Sequence, residues 1–122
     1  GALERANANV LTVVQIESAR AVEHVEEIAA VDGVDVLFVG PRDLSHDLGV
    51  PGQTSAPNYL AALGRVRTAA QRFGKSCGLL VPTGTAAAEH RAHGWNFVAV
   101  GSDATLLANA VTAELERARA SG

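Results

Sequence analysis

Apolar residues fall in four short runs, separated by stretches with a different periodicity. The runs are Val10–Glu17, Val34–Gly40, Cys77–Val81 and Phe97–Gly101. They are rich in Val, Leu and Phe and almost unbroken in apolarity, the pattern of strands buried on both faces. Between them, apolar positions recur at helical spacing. Val22, Val25 and Ile28 predict a helix over Ala19–Ala30 with Ser18 as its N-cap. A second helix is predicted over Pro57–Phe73, opening on proline and closed by Gly74, with Leu60, Leu63, Val66 or Arg67, Ala70 and Phe73 inward. Thr85–His93 reads as a third, stopped by Gly94. Ala104–Ala120 reads as a fourth, with Leu106, Leu107, Ala110, Val111 and Leu115 inward. Asp43–Ala56, with Gly49, Pro51 and Gly52, reads as irregular apart from a short helical turn.

Strand–helix alternation implies an α/β fold with a parallel sheet and right-handed crossovers. Two architectures fit. One is a small doubly wound three-layer domain. The other is four βα units of a (β/α)8 barrel, which typically needs about 250 residues in all. Four barrel units standing alone leave two apolar edge strands open to association. No linker or low-complexity tract interrupts residues 1–122, so the chain reads as a single domain.

Composition narrows the class without choosing a function. The 122 residues carry ten Lys and Arg against thirteen Asp and Glu, a formal charge of −3, and no basic patch suited to nucleic acid. No apolar run reaches the roughly 18 residues of a membrane span, and no charged-then-apolar leader opens the chain. The single cysteine, Cys77, excludes an internal disulfide and fits a reducing compartment. A cytoplasmic enzyme or binding domain is the expectation.

Parallel-strand proteins do their chemistry at the carboxyl ends of their strands. Glu17 closes the first run, and Asp43 follows the second across Gly40-Pro41-Arg42. Alternation along a strand puts Gln15 on the same face as Glu17. A carboxylate there needs a partner, because an unpaired buried charge is costly. That partner is a strand-end arginine or a cation. Asp43 has three readings: N-cap of the turn Leu44–Leu48, surface charge, or second ligand. Adjacent strands lie about 4.8 Å apart, so two strand-end carboxylates can reach one cation. Oxygen ligands suit Mg²⁺ or Mn²⁺, with Co²⁺ admissible, and no Cys/His cluster suggests zinc.

Pro41 has no N–H, so the next donors are the amides of Arg42 and Asp43. At a helix start they would hold a carboxylate. Cation and amides together suit a 2-oxo acid bound through a carboxylate oxygen and its keto oxygen, with the carbonyl polarised toward an enolate. Lys75, the only lysine, precedes the third strand at the far end of the sheet, which argues against a Schiff base. His46, three residues after Asp43, falls within reach of the site. His24, His90 and His93 read as solvated, Cys77 as a small core residue and Trp95 as packing at the start of the last strand. Gly74-Lys75-Ser76 leads into a strand rather than out of one, so it is no phosphate loop.

Val14-Gln-Ile-Glu17, followed by Gly33-Val-Asp-Val-Leu-Phe-Val-Gly-Pro-Arg-Asp-Leu-Ser45, resembles the HpcH/HpaI aldolase family. Gly78-Leu-Leu-Val81 and Phe97-Val-Ala-Val-Gly-Ser-Asp-Ala-Thr-Leu-Leu107 match as well, and the interval from Glu17 to Asp43 is the one expected between that family's two metal-binding acids. The similarity runs from about Ala8 to Val111.

The resemblance implies the carboxyl-terminal half of a (β/α)8 barrel of the phosphoenolpyruvate/pyruvate superfamily. It implies a class II, divalent-metal-dependent lyase that cleaves 4-hydroxy-2-oxo acids to pyruvate and an aldehyde. Glu17 and Asp43 would be the metal ligands and Gln15 the polar group beside them. Gly40, Pro41, Arg42 and Asp43 would bind the pyruvate carboxylate, and Leu80 would line the pocket on the aldehyde side. The family's catalytic arginine and its His–Asp pair belong to the first half of the barrel, which this chain does not contain. The last helix, in relatives, packs subunits together, often in a hexamer. The partner is then a homo-oligomer or a complementing amino-terminal half barrel. The alternatives are a carbon–carbon lyase like the citrate lyase β-subunit or malyl-CoA lyase, against which Pro41 speaks, and a non-catalytic assembly fragment. A phospho-receiver domain fits poorly, because its phospho-acceptor Asp and its final Lys have no counterparts.

Overall fold

In the computed structural model, residues 8–120 are described. Four strands, β1 (Val13–Ile16), β2 (Val36–Val39), β3 (Ser76–Val81) and β4 (Phe97–Val100), form one parallel sheet in the order β1-β2-β3-β4. The helices are α1 (Ala19–Glu23), α2 (Val25–Ala29), α3 (Pro41–Asp47), α4 (Pro57–Arg72), α5 (Gly84–Ala92) and α6 (Asp103–Ala120).

The strand order decides between the two architectures. A doubly wound sheet reverses direction at a switch point. Here each strand pairs with the next in sequence, so the winding never reverses, as in a barrel. Ile16, Leu37, Val39, Cys77, Leu79 and Val81 all lie on one face. They are buried against Val22 and Val25, the inward side of α4 and Ala87 of α5. The opposite face is largely open: Val13, Leu80 and Phe97 are each about 40 % exposed, and Gln15 is exposed too. A doubly wound domain would cover both faces. An open concave face is what four βα units of a (β/α)8 barrel present.

One glycine is required by packing on that concave face. Gln15, Phe38, Gly78 and Phe97 share a register across the sheet. The Phe38 and Phe97 rings meet edge to face at 6.1 Å above Gly78. A Cβ at Gly78 would lie 2.5 Å from the Phe97 carbonyl oxygen and 2.7 Å from Phe38 Cδ2.

Several expected elements are redrawn. β1, β2 and β4 are shorter than their apolar runs while β3 gains Ser76, and Val10 and Leu11 before β1 are exposed, with no strand flanking that edge among the described residues. The helix expected over Ala19–Ala30 breaks at His24, which ends α1 and starts α2. Its ring meets the Glu27 carboxylate at 3.1 Å. Ser18 does cap α1, accepting from the Ala21 N–H at 3.1 Å.

On α4 the buried side is Tyr59, Ala62, Leu63, Val66, Ala69 and Ala70. Leu60 and Phe73, expected inward, are exposed: Leu60 lies off the side that runs through Tyr59, Ala62, Val66 and Ala69, and Phe73 is the residue that caps the helix end. No residue of α6 is buried, and Leu106, Leu107, Val111 and Leu115 are 50–66 % exposed. The predicted stripe exists, but no element among the described residues covers it.

Candidate metal and substrate site

The loop after β1 and the start of α3 lie side by side. The Ile16 carbonyl accepts from the Gly40 N–H at 3.3 Å, which extends the β1–β2 ladder by one step. Glu17 comes next and is half-buried. A Cβ at Gly40 would lie 3.4 Å from Glu17 Cγ and 3.6 Å from its Oε2, so the carboxyl rests against the bare Gly40 backbone. Among the described residues, Glu17 makes no ion pair and no side-chain hydrogen bond. Among the described residues, no strand-end arginine pairs with Glu17 to make it structural.

Helix α3 begins where Pro41 allows it. Gly40 is the N-cap and contributes no side-chain bond, and Pro41 occupies the first helical position. The Leu44 N–H donates to the Gly40 carbonyl at 3.0 Å, closing the first turn. Arg42 and Asp43 fill the second and third helical positions, whose amides no earlier turn can satisfy. Asp43 is therefore not the cap. It is an exposed first-turn acid, favoured there by the helix dipole, with no side-chain bond among the described residues. Arg42 is exposed as well, and so is His46, whose ring bonds to nothing described.

Two side chains that the sequence reading passed over hold this region. Ser45 is fully buried; its Oγ donates to the Arg42 carbonyl at 2.8 Å and accepts from the Gly52 N–H at 3.0 Å. Asp47 Oδ2 accepts from the Ala19 N–H at 2.6 Å. Ser45 carried no signal beyond its place in the motif. Asp47 did: an acid at a helix carboxyl end opposes the dipole and so asks for another partner.

The remaining predicted residues line the open face. Gln15 pairs in register with Phe38, and Leu80 lies on β3, so the two sit on different strands and do not meet. Leu80 and Pro41 share a cleft of about 220 Å³ with Thr54, Tyr59 and Leu63. Burial pushes the Tyr59 phenol up to about 12. Lys75 sits just before β3, where its Nζ donates to the Val31 carbonyl at 3.2 Å, away from the acids.

His90 and His93 are not simply solvated. The His90 ring stands edge-on to buried Trp95 at 6.0 Å, and burial, with the His93 charge second, pushes its pKa down. His93 Nδ1 approaches the Glu89 carbonyl at 2.7 Å. Among the described residues no three His, Cys, Asp or Glu side chains gather as a metal centre. What the geometry offers, among the described residues, is a carboxylate without a side-chain partner lying in van der Waals reach of the Gly40 backbone, with a second carboxylate and two first-turn amides on the adjoining helical turn. That donor set fits an oxygen-preferring divalent ion whose other positions are filled by water or substrate.

The sequence model of the family described as HpcH/HpaI aldolase/citrate lyase matches residues 1–110. A hydroxypyruvate/pyruvate aldolase of Paraburkholderia phytofirmans is 39 % identical over 117 residues, 96 % of this chain and 45 % of that protein. A 5-keto-4-deoxy-D-glucarate aldolase of Salmonella paratyphi C is 43 % identical over 99 residues, 81 % of this chain and 39 % of that protein. Among solved structures, an HpcH/HpaI aldolase/citrate lyase family protein from Burkholderia cenocepacia superposes with a TM-score of 0.92 at 40 % identity. The superposition covers 96 % of this chain and 46 % of that one. The chain thus spans about half the length of the relatives it matches.

Proposed function

This chain belongs to the HpcH/HpaI aldolase/citrate lyase family, and from that premise we propose that it carries the cation- and pyruvate-holding end of a divalent-metal-dependent aldolase. The reaction is cleavage, or the reverse condensation, of 4-hydroxy-2-oxo acids to pyruvate and an aldehyde. The chain would be the carboxyl-terminal half of the barrel, working with the other four units in an oligomer or in trans. The observation that carries this reading is the Glu17 carboxyl, which among the described residues has no ion pair or side-chain hydrogen bond and lies against Gly40.

Glu17 and Asp43 would hold the cation, Mg²⁺ or Mn²⁺ by their oxygen donors. When bound, such an ion supplies Lewis-acid polarisation of a 2-oxo group. The Arg42 and Asp43 amides at the start of α3 would take the substrate carboxylate. Gln15, on the same face as Glu17, would orient the bound acid. Leu80 and Pro41 would set the room available on the aldehyde side. Proton transfer would fall to groups on the barrel units that this chain lacks.

The test is reconstitution. The chain is mixed, with Mn²⁺ present, with a polypeptide supplying the other four βα units, and pyruvate release from a 4-hydroxy-2-oxo acid is followed. Cleavage that disappears with Glu17→Ala and with Asp43→Ala is expected. No pyruvate from a well-folded, associated pair would contradict the reading.

A further inference from the structure

We propose that Asp47 is a positioning residue that sets the spacing between the two cation-binding acids; the inference rests on the role given above to Glu17 and Asp43. The loop after β1 and helix α3 are tied at two points. One is the Gly40 N–H to the Ile16 carbonyl at 3.3 Å, and the other is the Ala19 N–H to Asp47 Oδ2 at 2.6 Å. Glu17 lies between Ile16 and Ala19, and Asp43 lies between Gly40 and Asp47. Each acid is bracketed by the two ties. The first tie is backbone only and exists wherever β1 and β2 pair. The second depends on one side chain.

Helix stability does not account for that side chain. Asp47 is the last residue of α3, where the dipole disfavours an anion. Its carboxylate instead reaches the first residue of α1, whose N–H is one of the donors a helix start leaves open. Ser18 already caps α1 through Ala21. Asp47 adds a charge-assisted bond between segments 28 residues apart in sequence. Buried Leu44 and Ser45 keep α3 on the core, so without the Asp47 bond it is the Glu17 loop that loses its side-chain tie to α3, and the two carboxylates lose a fixed common reach. Such supporting residues around a metal contribute to affinity without touching it.

The test is Mn²⁺ binding to the full chain, read by electron paramagnetic resonance, alongside amide exchange at Ala19. Asp47→Ala is expected to weaken Mn²⁺ roughly tenfold and to remove the protection of the Ala19 amide. Asp47→Asn keeps an acceptor at the same reach and restores most of the affinity. Ser18→Ala loosens the same helix without cutting the tie, and lowers the melting temperature while leaving affinity in place. Should Asp47→Ala fail to fold, Asp47→Glu, which displaces the acceptor by one methylene, replaces it and must bind more weakly than Asp47→Asn. Wild-type affinity in the folded Ala or Glu variant, or an unprotected Ala19 amide in the wild type, overturns this inference alone. A folded wild-type chain that takes no Mn²⁺ overturns it together with the metal site it rests on.

Discussion

Gly78 shows how much one residue can decide. Its missing side chain lets Phe38 and Phe97 meet over the sheet, and a methyl group there would press on the Phe97 backbone. Overpacking of that kind costs about 1–3 kcal/mol. We expect Gly78→Ala to lower the unfolding free energy by that order, read as a fall in the urea midpoint, and an unchanged midpoint would contradict the contact. Tyr59 gives a pH-dependent expectation. Its phenol is raised from 10.0 to about 12 by burial, so the folded chain keeps a proton that the unfolded chain loses between those values. The stabilisation is complete below pH 10 and is lost as pH rises through about 12. Unfolding measured across that range should show a fall in stability that Tyr59→Phe reduces. An identical fall in both proteins would mean that the phenol is hydrated in the folded state.

Helices were legible in the sequence where a cap or a proline marks them. Ser18 marks α1 and Pro57 opens α4; α5, expected from Thr85, starts at Gly84 because Thr83 caps it, accepting from the Ala86 N–H at 3.2 Å. Thr83→Ala should cost about 1 kcal/mol, measured by thermal unfolding; no loss would mean that water satisfies that amide equally well. Bounds and inward faces were less legible, because periodicity reports an apolar stripe and not what lies opposite it. On α4 the alanines at 62, 69 and 70 take the strand side that Leu60 and Phe73 were expected to share. On α6 the stripe of Leu106, Leu107, Val111 and Leu115 is as regular as predicted, but among the described residues it faces no other element. The break at His24 has no sequence mark of its own, since Val22 and Val25 keep helical spacing across it. Helix α3 could have been found from Pro41 alone, as proline is favoured at a first helical position.

At the scale of the whole molecule, the unreversed strand order and the uncovered face are what distinguish barrel units from a closed domain, and neither is visible in a pattern of apolar runs. Apolarity on both sides of a strand predicts that both faces will be covered, without saying which chain covers them. With Val13, Leu80 and Phe97 open and both sheet edges unpaired among the described residues, we expect the 122-residue chain to associate as its concentration rises. Sedimentation showing a monomer throughout the micromolar range would count against an open inner face. The candidate residues were more legible than their supports. Glu17, Gly40 and Asp43 stand out as candidates because acids at strand ends beside a Gly-Pro turn suit a cation and an anionic ligand together. Ser45 acts through bonds within its own loop that its residue type does not announce, and Asp47, though marked as an acid at a helix carboxyl end, has its partner 28 residues away. The most direct test of the central claim is a titration of Mn²⁺ into the purified chain, with and without oxalate as an enolate mimic, beside Glu17→Ala and Asp43→Ala. We predict binding that oxalate strengthens and that both substitutions abolish. A folded wild-type chain that binds no Mn²⁺, or variants that bind it as well as the wild type, would contradict the assignment of these two acids.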